Sequence, residues 1–339
     1  MKLLSFLIFF LSSILSGAQA FENLPVNLID QSAGLLTTDN RFCYMDSKGI
    51  LWFSSVAGLH RFDGNQIARY SPSNKDSTSL KGHNVNGLFF EDEDHNIWFS
   101  TTEAINCYLR KKDSFKAYRY PGTINGTYFT CGLESSGQLW FFTDSLLLTF
   151  DIHEHTFKVR AKLRTEAQRG LILLNSTGQV SHAFLYSLDR SHPGFQMITF
   201  NSQGAAQSSM HFNGIVEPTF PVRDLYIQQD SLLWMASRAG IFSFNIFTHQ
   251  YLLYNPVPGL NDIYINAIEG LNDSTLFLTS YARGAFIFNL NSRKFTNQYQ
   301  LVSGGQIISE HPQEIYSSSD GGIWISIPGK GIAFFHPGN

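Results

Sequence analysis

The chain has 339 residues, of which 43% are hydrophobic, 14% aromatic and only 15% charged, and its 24 basic and 27 acidic residues leave a net charge of −3. Few charges combined with many aromatic residues exclude an intrinsically disordered chain. A near-neutral balance without basic runs argues against a nucleic-acid-binding protein, which needs a concentrated positive surface. The length allows one large domain or several small ones, so the number of domains must come from the internal pattern.

Residues 1–20 have the pattern of a cleaved secretory signal peptide. Lys2 begins a short positive region, Leu3 to Leu15 form an apolar stretch, and Ala18-Gln19-Ala20 supplies small residues at the cleavage site. Serines interrupt the apolar stretch, so an uncleaved transmembrane anchor is the weaker interpretation. The sequence therefore predicts a mature chain that starts at Phe21 and is periplasmic or secreted.

Five tryptophans share one context, in which a turn rich in Asp, Ser, Asn and Gly is followed by an aliphatic residue and then Trp. The markers are Trp52, Trp98, Trp140, Trp234 and Trp324, with Phe277 in the same place in a sixth copy and Ser181 in a degraded one. Their spacing averages about 45 residues, which is typical of the repeats of a β-propeller. The sequence thus predicts an all-β, seven-bladed propeller. Phe184 is an alternative occupant of the marker position in the degraded copy, so the register of the fourth blade stays open.

Each unit contains four antiparallel strands in this interpretation. An apolar first strand, such as residues 41–45, leads through a tight turn to the Trp strand. A Gly-aliphatic step opens the third strand, and the fourth strand alternates aromatic and polar residues as an edge strand does. These steps are Gly58-Leu59, Gly240-Ile241 and Gly331-Ile332. The large, flat Trp side chain is expected to pack between neighbouring blades.

The two ends of the chain predict how the ring closes. The seventh unit reaches a third strand at residues 331–336 and then stops at Asn339, without a fourth strand. Residues 21–29 precede the first unit, so we expect them to form the outer strand of the seventh blade, which leaves the ring without an open edge. The predicted organisation is a signal peptide over residues 1–20 and one propeller over residues 21–339.

The cysteines and two histidines carry no chemistry in this interpretation. Cys43 and Cys131 each precede a tryptophan by nine residues, so they occupy equivalent positions of non-neighbouring blades, too far apart for a disulfide. With Cys107 they are interpreted as free buried thiols. His153 and His155 would face one side of a strand, but this spacing is common on exposed outer strands.

Residues 92–96 together with Glu103 copy the ligand spacing of a calcium loop, although Ile97 stands where that loop needs Gly. A solvated hairpin turn is the better explanation. The sequence contains no zinc-protease, nucleophile-elbow, phosphate-loop or dinucleotide-binding motif. We therefore expect no metal site, no cofactor and no catalytic residue, that is, a non-enzymatic chain.

The first repeat unit resembles a known one. The frame D-x-x-G-x-x-W-[FIV]-[SG]-[ST], then Gly-Leu, then Arg-Phe-Asp-Gly, is similar to the two-component regulator propeller repeat in the extracytoplasmic sensor regions of hybrid histidine kinases, notably those of gut Bacteroidetes. It stands here as Asp46, Gly49, Trp52-Phe53-Ser54-Ser55, Gly58-Leu59 and Arg61-Phe62-Asp63-Gly64. Units two, five and seven match partly, and units three, four and six are degraded.

The resemblance implies a periplasmic sensor of oligosaccharides released from glycans. Family members usually carry two propellers in tandem, a small β-sandwich, a membrane helix and a cytoplasmic kinase, so this chain is expected to be either an N-terminal part of a sensor or a free-standing protein. Neither would phosphorylate anything alone. The expected partners are an oligosaccharide or another small ligand and, in a complete system, a second propeller or a membrane-anchored kinase. No nucleic acid is expected, and a homodimer is left open.

No linear motif locates the ligand site of a propeller, because several blades contribute residues to the mouth of its channel. We expect ligands at the face formed by the loops between blades and the loops between the two middle strands. The polar candidates on this face are Arg41, His83, Asn84, Arg223, Arg238, Tyr264, Tyr281, Arg283 and His311. Each is also explained as an ordinary surface residue. Two other functions stay open: a secreted lyase or glycosidase with His, Tyr or paired carboxylates at the channel, and a protein-docking ring.

Overall fold

The computed structural model describes residues 21–85, 89–121, 129–133, 136–143, 145–163, 169–187, 194–212, 222–257, 262–309 and 311–337. Within these ranges the regular structure is β-strand apart from two short 3-10 turns, Gln31–Ala33 and Arg110–Lys112. Seven antiparallel sheets form a ring, which confirms the predicted seven-bladed propeller. The described residues include no helix with the length and apolar character needed to cross a membrane. The predicted signal peptide, residues 1–20, lies outside them.

Two short strands precede the blades, and each blade then follows in chain order. The leading strands are β1 (Glu22–Pro25) and β2 (Asn27–Ile29). Blade 1 consists of β3 (Asn40–Met45), β4 (Leu51–Ser55), β5 (Gly58–Phe62) and β6 (Ile67–Tyr70), and blade 2 of β7 (Phe90–Glu91), β8 (Ile97–Ser100), β9 (Ala104–Leu109) and β10 (Ser114–Arg119). Blade 3 consists of β11 (Phe129–Leu133), β12 (Gln138–Phe142), β13 (Leu146–Asp151) and β14 (Phe157–Lys162), and blade 4 of β15 (Arg169–Leu174), β16 (Val180–Ser187), β17 (Gly194–Phe200) and β18 (Ala206–Phe212).

The remaining blades complete the ring. Blade 5 consists of β19 (Val222–Gln228), β20 (Leu232–Ser237), β21 (Gly240–Asn245) and β22 (Tyr251–Tyr254). Blade 6 consists of β23 (Ile265–Asn272), β24 (Thr275–Ser280), β25 (Gly284–Asn289) and β26 (Lys294–Ser303), extended by β27 (Gln306–Ile307). Blade 7 consists of β28 (Ile315–Ser317), β29 (Ile323–Ile327) and β30 (Gly331–Phe335), with β2 as its fourth strand.

The N-terminal segment closes the ring as predicted and also reaches the neighbouring blade. β2 pairs antiparallel with β30 and so completes blade 7. β1 pairs in parallel with β26 of blade 6, beginning with Glu22 opposite Tyr299. Val26 continues this pairing, because its N–H donates to the carbonyl oxygen of Val302 at 2.9 Å. One extended segment therefore joins blade 6 to blade 7 through main-chain hydrogen bonds, and the sequence did not indicate the contact with blade 6.

An apolar core fills the space between each pair of neighbouring blades. Trp52 of blade 1 shares its core with Phe99 and Tyr108 of blade 2. Trp324 of blade 7 shares its core with Phe53 of blade 1, which completes the circle. The other markers contact the following blade in the same way: Trp98, Trp140, Trp234 and Phe277. All are almost fully buried, so the aromatic excess of the sequence lies mainly between the sheets.

The turn residue six positions before a tryptophan binds its indole N–H. Trp52 donates to Asp46 Oδ2 at 2.9 Å, and Trp98 donates to Asp92 Oδ2 at 2.8 Å. The same relation holds for Trp234 with Gln228 at 3.0 Å and Trp324 with Ser318 at 3.2 Å. The polar side chain of the repeat therefore satisfies a donor that would otherwise be buried without a partner. The corresponding residue before Trp140, Glu134, lies outside the described residues.

The Gly that opens the third strand is required by a close approach of the main chain. A Cβ on Gly58 would lie 2.1 Å from the carbonyl oxygen of Tyr70, and a Cβ on Gly331 would lie 2.1 Å from that of Ile29. Both glycines also have positive φ, 141° and 134°. Any side chain at these positions would push the outer strand off the blade.

Blade 4 is a complete four-stranded sheet, which settles the register that the sequence left open. His182 lies opposite Leu173 while Val180 lies opposite Leu174, so Ser181 is the extra residue of a β-bulge. Its hydroxyl donates to the carbonyl oxygen of Leu173 at 3.0 Å. Phe184 is fully buried in the core shared with blade 5, and it supplies the aromatic side chain that tryptophan supplies elsewhere.

The two patterns resembling metal sites have ordinary local structure. His153 and His155 lie in the turn between β13 and β14 and not on a strand, and the ring of His155 stacks on Tyr118 with 4.5 Å between centroids. Asp92 accepts a hydrogen bond from the N–H of Asn96 at 2.9 Å, as in a hairpin turn.

The described cysteine side chains, Cys43 and Cys107, are buried free thiols whose pKa is raised by burial. The side chain of Cys131 lies outside the described part of the structure.

Candidate ligand-binding site

The first strands of neighbouring blades line the middle of the ring. Contacts run from β11 to β15, β19, β23 and β28 in turn, and from β28 to β3. Because the strands of a blade are antiparallel, the loops that enter first strands and the loops that join second to third strands lie at one end of this channel. We call this end the entry face.

A cavity of about 370 Å³ opens at the entry face, and residues of blades 4, 5, 6 and 7 line it. This volume falls within the range of small-molecule sites, roughly 300–1,000 Å³. Its lining residues are Tyr186, Arg223, Tyr264, Asn266, Tyr281, Gln313 and Glu314. Three of these side chains are aromatic, and the others offer a guanidinium, two amides and a carboxylate, so the cavity combines flat apolar surfaces with hydrogen-bonding groups.

Three aromatic rings follow one another in tilted contact, and we call them the aromatic ladder: Tyr264 and Tyr281, which line the cavity, and His311, which lies next to Tyr281. The ring centroids of Tyr264 and Tyr281 are 5.5 Å apart, and those of Tyr281 and His311 are 3.8 Å apart. Main-chain hydrogen bonds link the same three residues. The N–H of Tyr281 donates to the main-chain oxygen of Tyr264 at 2.9 Å, and the N–H of His311 donates to the main-chain oxygen of Tyr281 at 3.1 Å. The ladder thus joins three loops into one surface.

Two guanidinium groups lie over the ring of Tyr264. The Cζ of Arg238 is 4.8 Å from the ring centroid and that of Arg223 is 5.4 Å from it, distances at which the cation and the ring attract each other. Arg238 also donates to Asp262 from Nε at 2.7 Å and from Nη2 at 2.6 Å. The hydrogen bonds from Arg238 hold the pKa of Asp262 below its usual value. Asp262 thereby fixes the position of Arg238 on the ladder.

The structure brings together five of the nine candidates predicted from the sequence. They are Arg223, Arg238, Tyr264, Tyr281 and His311. Arg283 lies in the same loop as Tyr281 but does not line the cavity. His83 and Asn84 lie in the loop between blades 1 and 2, away from the ladder: His83 accepts hydrogen bonds from Thr102 through its main-chain oxygen. The side chain of Arg41, on β3, lies outside the described part of the structure. Ligand binding by any of them stays a prediction.

Four cavity residues escaped the sequence analysis. Tyr186, Asn266, Gln313 and Glu314 line the cavity, and three of them lie at or just before the start of a first strand. Asn266 donates through Nδ2 to the main-chain oxygen of Pro312 at 2.8 Å, which ties blade 6 to blade 7. A polar residue at the start of an otherwise apolar first strand was the available signal.

Glu269 is a partly buried residue further along the channel-lining strand β23. The hydroxyl of Ser317 donates to its Oε1 at 2.8 Å, and Tyr226 and Tyr316 of the neighbouring blades face it. Burial raises the pKa of Glu269 to about 7, above the ordinary glutamate value of 4.5. The folded protein therefore binds this proton more tightly than the unfolded chain does.

The stability of the protein is expected to fall as pH rises through the window from 4.5 to about 7, because deprotonating Glu269 costs more in the folded state. The full contribution is about 3 kcal/mol, and it is present below pH 4.5 and lost above pH 7. Glu269→Gln should therefore raise the free energy of unfolding at pH 8 and leave it nearly unchanged at pH 5. Urea unfolding at both pH values measures this difference.

Burial lowers the pKa of His60 to about 4, so the contribution of His60 to stability rises with pH, opposite to that of Glu269. Wild type and variant must therefore be compared at the same pH. The exposed Glu103→Gln is the control. An equal response of Glu269→Gln at pH 5 and pH 8 would contradict the assignment.

Comparison with known proteins gives likenesses of structure alone. No protein-family model and no curated protein matches the sequence. The extracellular domain of the hybrid two-component system BT3049 from B. thetaiotaomicron superposes with a TM-score of 0.74 at 21% identity, over 91% of this chain and 41% of that one. The extracellular domain of the hybrid two-component system BT4673 from the same organism superposes with a TM-score of 0.69 at 13% identity, over 91% of this chain and 39% of that one. Streptogramin B lyase superposes with a TM-score of 0.67 at 15% identity, over 91% of this chain and 96% of that one. The chain thus spans about two-fifths of the two extracellular domains and shares their propeller fold.

Proposed function

We propose that this propeller is the ligand-sensing part of an extracytoplasmic two-component signalling system and that it binds a glycan-derived oligosaccharide at the cavity on the entry face. The observation that carries the proposal is the aromatic ladder beside a cavity lined by Asn266, Gln313, Arg223 and Glu314. The ladder comes from three loops of the rigid ring, so the rings are held in place before a ligand arrives.

An oligosaccharide suits this arrangement chemically. Sugar rings present apolar C–H faces that stack on aromatic side chains, and hydroxyl groups that need donors and acceptors around their edge. Tyr281 offers such a face to solvent, since 42% of it is exposed. The amide, guanidinium and carboxylate groups of the cavity supply both donors and acceptors.

The signalling role draws support from two sources. The first repeat unit resembles the two-component regulator propeller repeat, and the fold is similar to extracellular domains of hybrid two-component systems. Residues 1–20 have the pattern of an export signal. In this proposal the propeller is not itself catalytic, and the kinase lies in a region or partner beyond this chain, reached directly or through a second propeller.

A lyase or glycosidase is the competing function. Streptogramin B lyase has a similar single-propeller fold, and Tyr281 and His311 are adjacent at the cavity, which gives an enzyme one of the groups that proton transfer needs. Incubation with a panel of oligosaccharides separates the two functions. Calorimetric binding without product supports the sensor, whereas new reducing or unsaturated ends would overturn it.

Tyr281→Ala is expected to weaken oligosaccharide binding by about 10-fold or more, because it removes an exposed ring that lines the cavity. Tyr251→Ala is the matched control, since Tyr251 is similarly exposed, at 45%, but lies on β22 at the outer edge of blade 5. Isothermal titration calorimetry on the wild type and both variants makes the comparison. Equal losses in the two variants, or none in either, would contradict the site.

A further inference from the structure

Arg223 differs from Arg238, the other guanidinium at the aromatic ladder, in having no counter-ion among the described residues. Its Nε is buried without a hydrogen-bond partner, and within the described residues no hydrogen bond or ion pair reaches its side chain. Arg238, which lies over the same Tyr264 ring, is fully engaged by Asp262. A buried donor of a charged group that stays unpaired is costly. Because Arg223 lines the cavity, the rest of its guanidinium is available to an anionic group that arrives with the ligand.

The charges around the cavity leave room for an anion beside Arg223. The carboxylate among the lining residues, Glu314, belongs to blade 7, while Arg223 belongs to blade 5, with blade 6 between them. Asp262 is already paired with Arg238 and is also influenced by the positive charge of Arg283. Among the described residues, the carboxylate of Asp262 is therefore engaged by Arg238, and no carboxylate is paired with Arg223.

We infer that the ligand is an acidic sugar whose anionic group binds Arg223 while its ring stacks on the aromatic ladder. This inference rests on the proposed oligosaccharide site and adds the chemical class of the ligand. The two terminal Nη groups of a guanidinium present two parallel N–H donors that match the two oxygens of a carboxylate, and a sulfate ester presents a similar pair. The cation–ring contact of Arg223 with Tyr264 holds the guanidinium beside the stacking surface.

Calorimetry with three probes tests the inference: digalacturonate, a sulfated galactobiose and neutral galactobiose. The wild type should bind at least one acidic probe about 10-fold or more tighter than galactobiose, with an affinity that falls as salt rises. Arg223→Gln should lower the affinity for the acidic probes far more than the affinity for galactobiose, and so abolish this preference. Arg223→Lys keeps the charge but not the paired donors, and should retain only part of the preference.

Arg283→Gln is the matched control, because it removes the same charge from the entry face at a residue that does not line the cavity; it should leave the preference intact. The melting temperature of each variant shows that it is folded. If galactobiose binds as tightly as the acidic probes, or if Arg223→Gln keeps the preference, the acidic class is wrong and the oligosaccharide site stands. If no probe binds the wild type, the proposed function itself fails.

Discussion

Removal of residues 21–30 is expected to lower the melting temperature by more than about 10 °C. The deletion takes away both β1, which pairs with β26, and β2, which pairs with β30. It also uncovers the core between blades 6 and 7, where Val26 is buried and Leu24 and Leu28 pack. Three apolar side chains and two sets of main-chain hydrogen bonds are lost together, and blades 6 and 7 are left with open edges.

Complementation makes this experiment specific. A synthetic peptide of residues 21–30, added to the truncated protein, should restore the melting temperature in a concentration-dependent way, because it binds only the folded ring. The control is the same peptide with Val26→Asp, which keeps the main chain but places a charge in the core. A truncated protein that melts like the full chain would refute closure by the N-terminal segment.

Replacing Asp46 by alanine should lower the free energy of unfolding by about 3–5 kcal/mol. Its side chain is fully buried, and it forms an ion pair with Arg110 of blade 2. It also accepts the indole N–H of Trp52 at 2.9 Å and the main-chain N–H groups of Lys48 and Ile50 at 2.9 and 3.0 Å. The substitution therefore leaves a guanidinium and an indole without their acceptor at the junction of blades 1 and 2.

The comparison with Asp63→Ala isolates the role of the blade junction. Asp63 lies in another turn of blade 1. In the described residues its side chain accepts two hydrogen bonds, from the main-chain N–H groups of Asn65 and Gln66. Because Asp63 is exposed, Asp63→Ala should lower the free energy of unfolding far less than Asp46→Ala does. Urea unfolding followed by tryptophan fluorescence measures both. Similar values for Asp46→Ala and Asp63→Ala would show that the ion pair and the indole contact contribute little.

Much of the fold follows from local rules that a sequence displays. The spacing of the tryptophans predicted seven blades, and the Gly that opens the third strand of several blades is explained by a main-chain contact that recurs at Gly58 and Gly331. The bulge at Ser181 escaped prediction, because a bulge depends on the pairing of two strands and leaves no mark in either one alone. The parallel contact of β1 with β26 was missed for the same reason.

The candidate site was predicted in part. Tyr264, Tyr281 and His311 were chosen because they lie in loops at one end of the channel, but the contact between their rings required three loops to meet. Glu314 was missed because it is almost fully buried beside a short apolar strand, where the sequence suggests only core. Loop position is visible along the chain, whereas neighbours from different blades are not.

The sequence by itself determined the class of the molecule: low charge and abundant aromatic residues at a period of about 45 require stacked sheets. Tertiary structure alone decided which side chains share a cavity and which charges are paired. It gave Arg238 a counter-ion in Asp262, whereas Arg223 has none in the part of the chain that the structure describes. The physical reason is that repeat spacing and turn chemistry act over a few residues, whereas the partner of a charge is set by the closure of the whole ring.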